Sequence, residues 1–158
     1  MGKIDDPDRD SLPIIIVTLG VILLCVVSEV MVRRPGYVPA FVLSGLVVFV
    51  TGFALRLSAQ FQLGKNFALR VMILPDHSLV DSGIYSLIRH PMYSGLFMIV
   101  LGLCLALQSW FGIAATVILL IPAGIYRMDV EEAALRSKFG KRYRCYMQGT
   151  KRCIPFIW

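Results

Sequence analysis

Four apolar stretches separated by short polar breaks set the pattern of this chain. Leu12 to Val32 is a run of 21 residues with one ionisable side chain, Glu29. At about 1.5 Å rise per residue it is roughly 31 Å long, enough to cross the hydrocarbon of a bilayer. Pro35, Gly36 and Pro39 break the helix and turn the chain back. Tyr37 to Leu57 is a second run of 21 residues, with Tyr37 as an interfacial aromatic and Arg56 marking its far end. The first two runs therefore predict a hairpin of membrane helices. Glu29 lies close to Arg33 and Arg34, and its simplest reading is snorkelling to the interface, in preference to a buried partner within the bundle. Ser44 and Gly52 are small enough to let helices approach closely.

From Ser58 to His90 the pattern becomes mixed, with Lys65, Arg70 and Arg89 against Asp76 and Asp81, and this predicts the main extramembrane loop. Phe61, Phe67, Leu69, Val71, Met72 and Ile73 among those charges suggest a partly interfacial segment. Pro75-Asp76 and Asp81-Ser82-Gly83 mark turns. Pro91 suits the first turn of the next helix, where its missing N–H costs nothing. Met92 to Leu107 and Trp110 to Tyr126, separated by Gln108-Ser109, predict a tight hairpin of 16- and 17-residue spans, short enough to need local thinning or partial insertion. Pro122 is expected to kink the fourth helix about one turn before Arg127. Helix formers continue without a turn signal to Phe139, with Gly140 as a C-cap, so the fourth helix should leave the membrane. The expected fold is an all-α integral membrane protein of about four transmembrane helices, in one membrane domain. Residues 12–57 form its N-terminal hairpin and 58–158 its functional region.

Composition agrees. Of 158 residues 57% are hydrophobic and 16% charged, and the mean hydropathy is +0.73, more apolar material than one small soluble core hides. The net charge of +6 does not call for nucleic acid, because the basic residues flank apolar runs, where they act first as orientation signals and second as a surface for anionic lipid. Most Lys and Arg lie in the 58–90 loop and the tail, so four spans put those and the N-terminus in the cytosol; Arg33 and Arg34 then fall on the other side, against that tendency. Cys25, Cys104, Cys145 and Cys153 show neither a disulfide framework nor zinc spacing, and no metal is expected. The acidic start, MGKIDDPDRD, precedes a run too long for a signal-peptide core, so the first span is expected to be retained. No lipidation signal is present at either end of the sequence.

The chemistry concentrates in LVDSGIYSLIRHPMYSG, Leu79 to Gly95, where Arg89, His90 and Tyr93 sit directly against an apolar run. A helical hairpin brings their end of the third helix to the end of the fourth that carries Arg127 and Glu131, assembling a polar pocket over an apolar floor. Arg127 and Glu131, four apart on one helix face, read most simply as a surface ion pair.

The stretch holding Gly83, Tyr85, Arg89, His90, Pro91, Tyr93 and Gly95, followed by Arg127, Glu131, Glu132, Leu135, Phe139, Gly140, Tyr143, Tyr146 and Pro155, resembles the isoprenylcysteine carboxyl methyltransferase and phospholipid methyltransferase superfamily. Two motifs at this separation are far more specific than either alone. The likeness covers about half the chain, and Ile84 departs from it where the family usually has Pro. It implies methyl transfer from S-adenosyl-L-methionine without a Rossmann domain, and no G-x-G-x-x-G is present. Carried over, it implies that Glu131 pairs with the cofactor ammonium, that His90 and Tyr93 serve its nucleoside or carboxylate, that Arg89 belongs to the same cofactor site, and that Val80 and Tyr85 close over it. Arg127 would hold an acceptor carboxylate by a two-point contact. The resemblance leaves the acceptor open. A prenylcysteine carboxyl is the leading candidate, with a phospholipid amine, a small amine or a thiol behind it. A carboxylate needs no general base, whereas an amine would pass a proton to Glu131 or His90. The cofactor would enter from the cytosol and a lipid-like acceptor from between the helices. The sterol reductases share an R-H-P-like stretch but are far longer. A non-catalytic lipid-binding scaffold would place ionisable residues in mid-span, while here they gather at the span ends.

Overall fold

The computed structural model describes residues 11–33, 36–64 and 79–155. Helix α1 is Ser11–Arg33 and α2 is Pro39–Leu63. A 3₁₀ turn at Gly83–Ser86 leads into α3, Pro91–Ala106. Helix α4, Trp110–Ala115, passes through a π turn at Thr116–Leu120 into α5, Ile121–Phe139, and α6 is Lys141–Gly149. The described residues contain no named strand; their one isolated bridge pairs Ile88 with Lys151 in parallel.

Among the described residues three helices are long and apolar enough to cross a bilayer: Ser11–Arg33, Pro39–Leu63 and the 30-residue rod Trp110–Phe139. Helix α3, with 16 residues, is about 24 Å long and falls short of the hydrocarbon, as its sequence predicts. The expected break at Ser58 does not occur: α2 continues to Leu63, because apolar and helix-favouring residues run on past Arg56. The interfacial stretch expected around Phe67 to Ile73, with Lys65, Arg70 and the turn at Pro75-Asp76, lies outside the described residues.

Helices α2 and α3 meet backbone to backbone. Gly45 and Gly52 are seven apart on α2, and Gly95 and Gly102 are seven apart on α3. A β-carbon built on Gly52 would lie 2.8 Å from the Gly95 carbonyl oxygen, and one on Gly95 would lie 2.7 Å from that of Gly52. Gly45 and Gly102 face each other in the same way, each 2.7 Å from the other's carbonyl. With little hydrophobic drive between helices in lipid, such close contact is what holds them. The other wall is a small core of Ile15, Ile22 and Val26 from α1 with Cys104, Leu120 and Ala123. Ile16, Leu24, Val32, Phe111 and Ile118 face outward, as lipid-facing residues do.

Pro122 does not end the fourth helix. The preceding π turn, in which the Ile121 N–H reaches the Thr116 carbonyl, absorbs the missing proline donor and the ring's clash with the carbonyl four residues earlier. The rod ends as expected at Phe139, and Gly140, at φ 52°, lets the chain turn into α6.

Glu29 corrects its sequence reading. It is 5% exposed and accepts hydrogen bonds from Ser109 Oγ at 2.7 Å and the Phe111 N–H at 2.9 Å, while Arg33 Nη1 donates to it at 2.5 Å. It satisfies orphan donors at the start of α4 and ties α1 to the α3–α4 turn. At the other end of α1, Ser11 is buried and accepts a hydrogen bond from Arg127 Nη1 at 2.8 Å. The beginning of α1 and the polar end of α5 thus share one end of the bundle, the arrangement that four spans predict.

Candidate active site

The polar residues gather where α3 begins and α5 carries its charges. Pro91 occupies the first turn of α3, and the His90 carbonyl, just before it, accepts the N–H groups of Tyr93 and Ser94. This entry fixes His90 and Tyr93 on one side of the helix start, with their rings edge to face at 5.7 Å. On α5, Arg127 and Glu131 lie one turn apart on the same face.

Arg127 and Glu131 are not the surface ion pair that their spacing suggests. Arg127 is 6% exposed, and the Tyr93 hydroxyl stands between the two. It accepts from Arg127 Nε at 3.0 Å and donates to Glu131 Oε2 at 3.2 Å. His90 Nδ1 lies 3.8 Å from the same Glu131 oxygen. The Glu131 side chain remains 34% exposed despite these partners.

Glu132, one residue on, has the opposite environment. Its side chain is fully buried, and three groups converge on it: Arg89 Nε at 3.2 Å, His90 Nε2 at 3.2 Å and Arg152 Nη2 at 3.0 Å. Each ring nitrogen of His90 therefore faces a different carboxylate, which fixes the ring plane. Arg89 also donates through Nη1 to the Met147 carbonyl at 3.2 Å and to the Thr150 carbonyl. The tail closes against the same segment. The Arg89 and His90 N–H groups donate to the carbonyls of Lys151 and Arg152 at 2.7 and 2.8 Å, and Ser94 Oγ donates to the Cys153 carbonyl at 2.8 Å.

Of the residues expected to serve a cofactor or acceptor, His90, Tyr93, Arg127 and Glu131 come together. Arg89 sits behind them and spends its donors on Glu132 and the tail. Tyr85 is buried; its hydroxyl donates to the Ala59 carbonyl at 3.4 Å, and its own carbonyl accepts the Tyr146 hydroxyl at 2.6 Å. Val80 is half-buried in the segment before the 3₁₀ turn. No hydrogen bond joins Val80 or Tyr85 to the Glu131 cluster among the described residues.

Residue pattern alone does not single out Glu132, Arg152, Ser11 or Arg56 as functional. Arg56 Nη1 donates to the Met92 carbonyl at 2.9 Å, pinning α2 to the first turn of α3. Only Glu132 carried a signal, its place in the Glu-Glu pair. Burial pushes the Tyr146 hydroxyl up to about 12, with Arg89 opposing the shift. Burial disfavours the charge of Arg152, but Glu132 and Asp129 outweigh it and hold the guanidinium above its ordinary value.

Comparison with known proteins fits this geometry. Residues 42–137 match the model of the isoprenylcysteine carboxyl methyltransferase (ICMT) family. The chain belongs to that family. It is similar to a probable protein-S-isoprenylcysteine O-methyltransferase of Oryza sativa subsp. indica, 32% identical over 115 residues covering 72% of this chain and 60% of the rice protein. It is similar also to the protein-S-isoprenylcysteine O-methyltransferase of Schizosaccharomyces pombe, 33% identical over 132 residues covering 79% of this chain and 56% of that one. Among solved structures it resembles the eukaryotic intramembrane Ras methyltransferase ICMT, with a TM-score of 0.70 and 28% identity, covering 89% of this chain and 52% of that one. The chain thus spans little more than half the length of these relatives. The chain, with its three long apolar helices, is an integral membrane protein, and the ICMT match takes in Arg89, His90, Tyr93, Arg127, Glu131 and Glu132 but ends before Arg152.

Proposed function

We propose that this ICMT-family chain is a membrane methyltransferase that uses S-adenosyl-L-methionine to methylate the carboxylate of a lipid-modified acceptor, a prenylcysteine. The observation that carries the reading is the Tyr93 hydroxyl joining a buried cation, Arg127, to a half-open carboxylate, Glu131, at the mouth of an apolar helix bundle.

The two glutamates give a test of fit for the cofactor. Glu132 is saturated by Arg89, His90 and Arg152 and has no exposed surface to offer. Glu131 keeps open surface, so it would take the cofactor ammonium, with His90 and Tyr93 offering polar edges and ring faces to the rest. When bound, S-adenosyl-L-methionine supplies a methyl group on a positively charged sulfur. Arg127, aligned by Tyr93 and Ser11, orients the acceptor carboxylate. That carboxylate is ionised at neutral pH, so neither Glu131 nor His90 has to remove a proton from it. The protein's work is alignment and exclusion of water, which the apolar walls favour. In this reading the site faces the cytosol, and the prenyl chain arrives through the lipid.

The test is calorimetric titration of S-adenosyl-L-methionine into the full chain in nanodiscs, beside Glu131→Ala. It is paired with transfer of labelled methyl to a prenylated cysteine bearing either a free or an amidated carboxyl group. Binding to the parent, its loss in Glu131→Ala, and label on the free acid alone are expected. No binding by a folded parent overturns the enzyme reading, and label on phosphatidylethanolamine instead overturns the carboxylate reading.

A further inference from the structure

Between Ala133 and Trp158 the chain carries seven basic residues and no acidic one. Insertion bias accounts for such an excess without requiring any contact in the folded protein. The geometry adds a contact surface. Tyr143, Tyr146, Met147 and Thr150 recur at helical spacing and turn inward, with Tyr143 at 1% exposure and Thr150 at 7%. The opposite face of α6 is exposed and holds Lys141, Arg142, Arg144, Cys145 and Gln148, with exposed Lys151 just beyond the helix. Arg142 reaches Asp81 at 3.3 Å. Among the described residues Lys141, Arg144 and Lys151 form no ion pair.

The level of this face is fixed by its connections. The backbone of Lys151 is hydrogen-bonded to Arg89, two residues before the first turn of apolar α3, and Ile154, three residues past Lys151, is 49% exposed. The C-terminal end of α6 therefore lies at the height where the helix bundle enters hydrocarbon, with unpaired cations on its free side.

We propose that the outer face of α6 docks on anionic phospholipid headgroups of the leaflet at the active-site end of the molecule. Lys141, Arg144 and Lys151 supply the charge, and the inward Tyr143–Tyr146 face keeps α6 seated on the protein. Because Arg89 holds the end of α6 and also contacts Glu132, lipid engagement steadies the wall of the site. The inference does not depend on which acceptor the enzyme uses.

Cys145 provides the probe, since it is exposed on that face while Cys104 and Cys153 are buried. With half-buried Cys25 replaced by Ser, a donor dye on Cys145 of the full chain is read against an acceptor dye on lipid headgroups. The nanodiscs contain phosphatidylcholine alone or mixed with phosphatidylglycerol. Energy transfer should rise with phosphatidylglycerol, and the rise should vanish at about 1 M salt, where the Debye length is about 3 Å. It should also vanish in Lys141→Gln/Arg144→Gln/Lys151→Gln and fall partway in Lys141→Gln or Lys151→Gln alone, which decide the matter if the triple variant does not fold. Equal transfer in the two lipid mixtures, or a rise that survives the substitutions, would overturn the proposal.

Discussion

Removing the Glu132 carboxylate would leave Arg89 and His90 beside a buried gap that had held their shared carboxylate, with Arg152 keeping only Asp129. Breaking a buried ion pair from one side typically costs about 3–5 kcal/mol, so Glu132→Ala should lower the thermal stability of the detergent-solubilised protein by that order. Glu131→Ala removes a partly exposed carboxylate whose closest partners are the Tyr93 hydroxyl at 3.2 Å and His90 Nδ1 at 3.8 Å, so it should cost less than about 1 kcal/mol while abolishing cofactor binding. Melting curves and calorimetry on both variants check the contrast, and equal destabilisation would contradict it. The motif presents the two glutamates as an undivided pair. What separates them is Arg152, twenty residues on, whose approach depends on the tail folding back, and no local pattern encodes that. Arg127 and Glu131 show the same limit from another side. Their spacing does place them on one face, but Tyr93, which stands between them, comes from a different helix.

Helix α3 is too short to hold itself in a membrane by length, so its place depends on α2. The four glycines at matching seven-residue intervals put backbone against backbone, and any side chain there must push the helices apart. Gly52→Val would place its β-carbon 2.8 Å from the Gly95 carbonyl oxygen and add two methyl groups beyond it. We expect a loss of about 1–3 kcal/mol, the usual range for overpacking, with the α3 start displaced from Arg56. A melt together with disulfide trapping between cysteines introduced across α2 and α3 would measure it; unchanged stability and unchanged trapping would refute the close contact. Gly52 was visible in the sequence as a residue that permits approach. Its pairing with Gly95 was not, because spacing on one helix does not name the helix opposite. The setting of Glu29 is hidden from the sequence for a similar reason: Arg33 is its neighbour along the chain, while Ser109 and Phe111, which hydrogen-bond to it, are some eighty residues away.

At the scale of the molecule, the site is assembled by parts of the chain that are distant in sequence. Ser11 at the start of α1 touches Arg127, and the 151–153 segment lies along Arg89 to Ser94. Cutting the chain after Thr150 would remove the carbonyls that accept the Arg89 and His90 N–H groups, the carbonyl that holds Ser94, and the Arg152 guanidinium on Glu132. The apolar helices make none of these bonds among themselves, so helix content by circular dichroism should stay near that of the parent. The polar cluster should loosen: two backbone donors are freed, and Glu132, short of one cation, no longer has the full set of partners that holds it against His90 Nε2. Cofactor binding should therefore fall at least tenfold. Arg152→Lys separates charge from geometry, since it keeps the cation and every backbone bond but not the reach to both Asp129 and Glu132. An intermediate loss in Arg152→Lys and a full loss in the cut chain would establish that the tail is a wall of the site. Undiminished binding in the cut chain would show that α3 and α5 suffice without it.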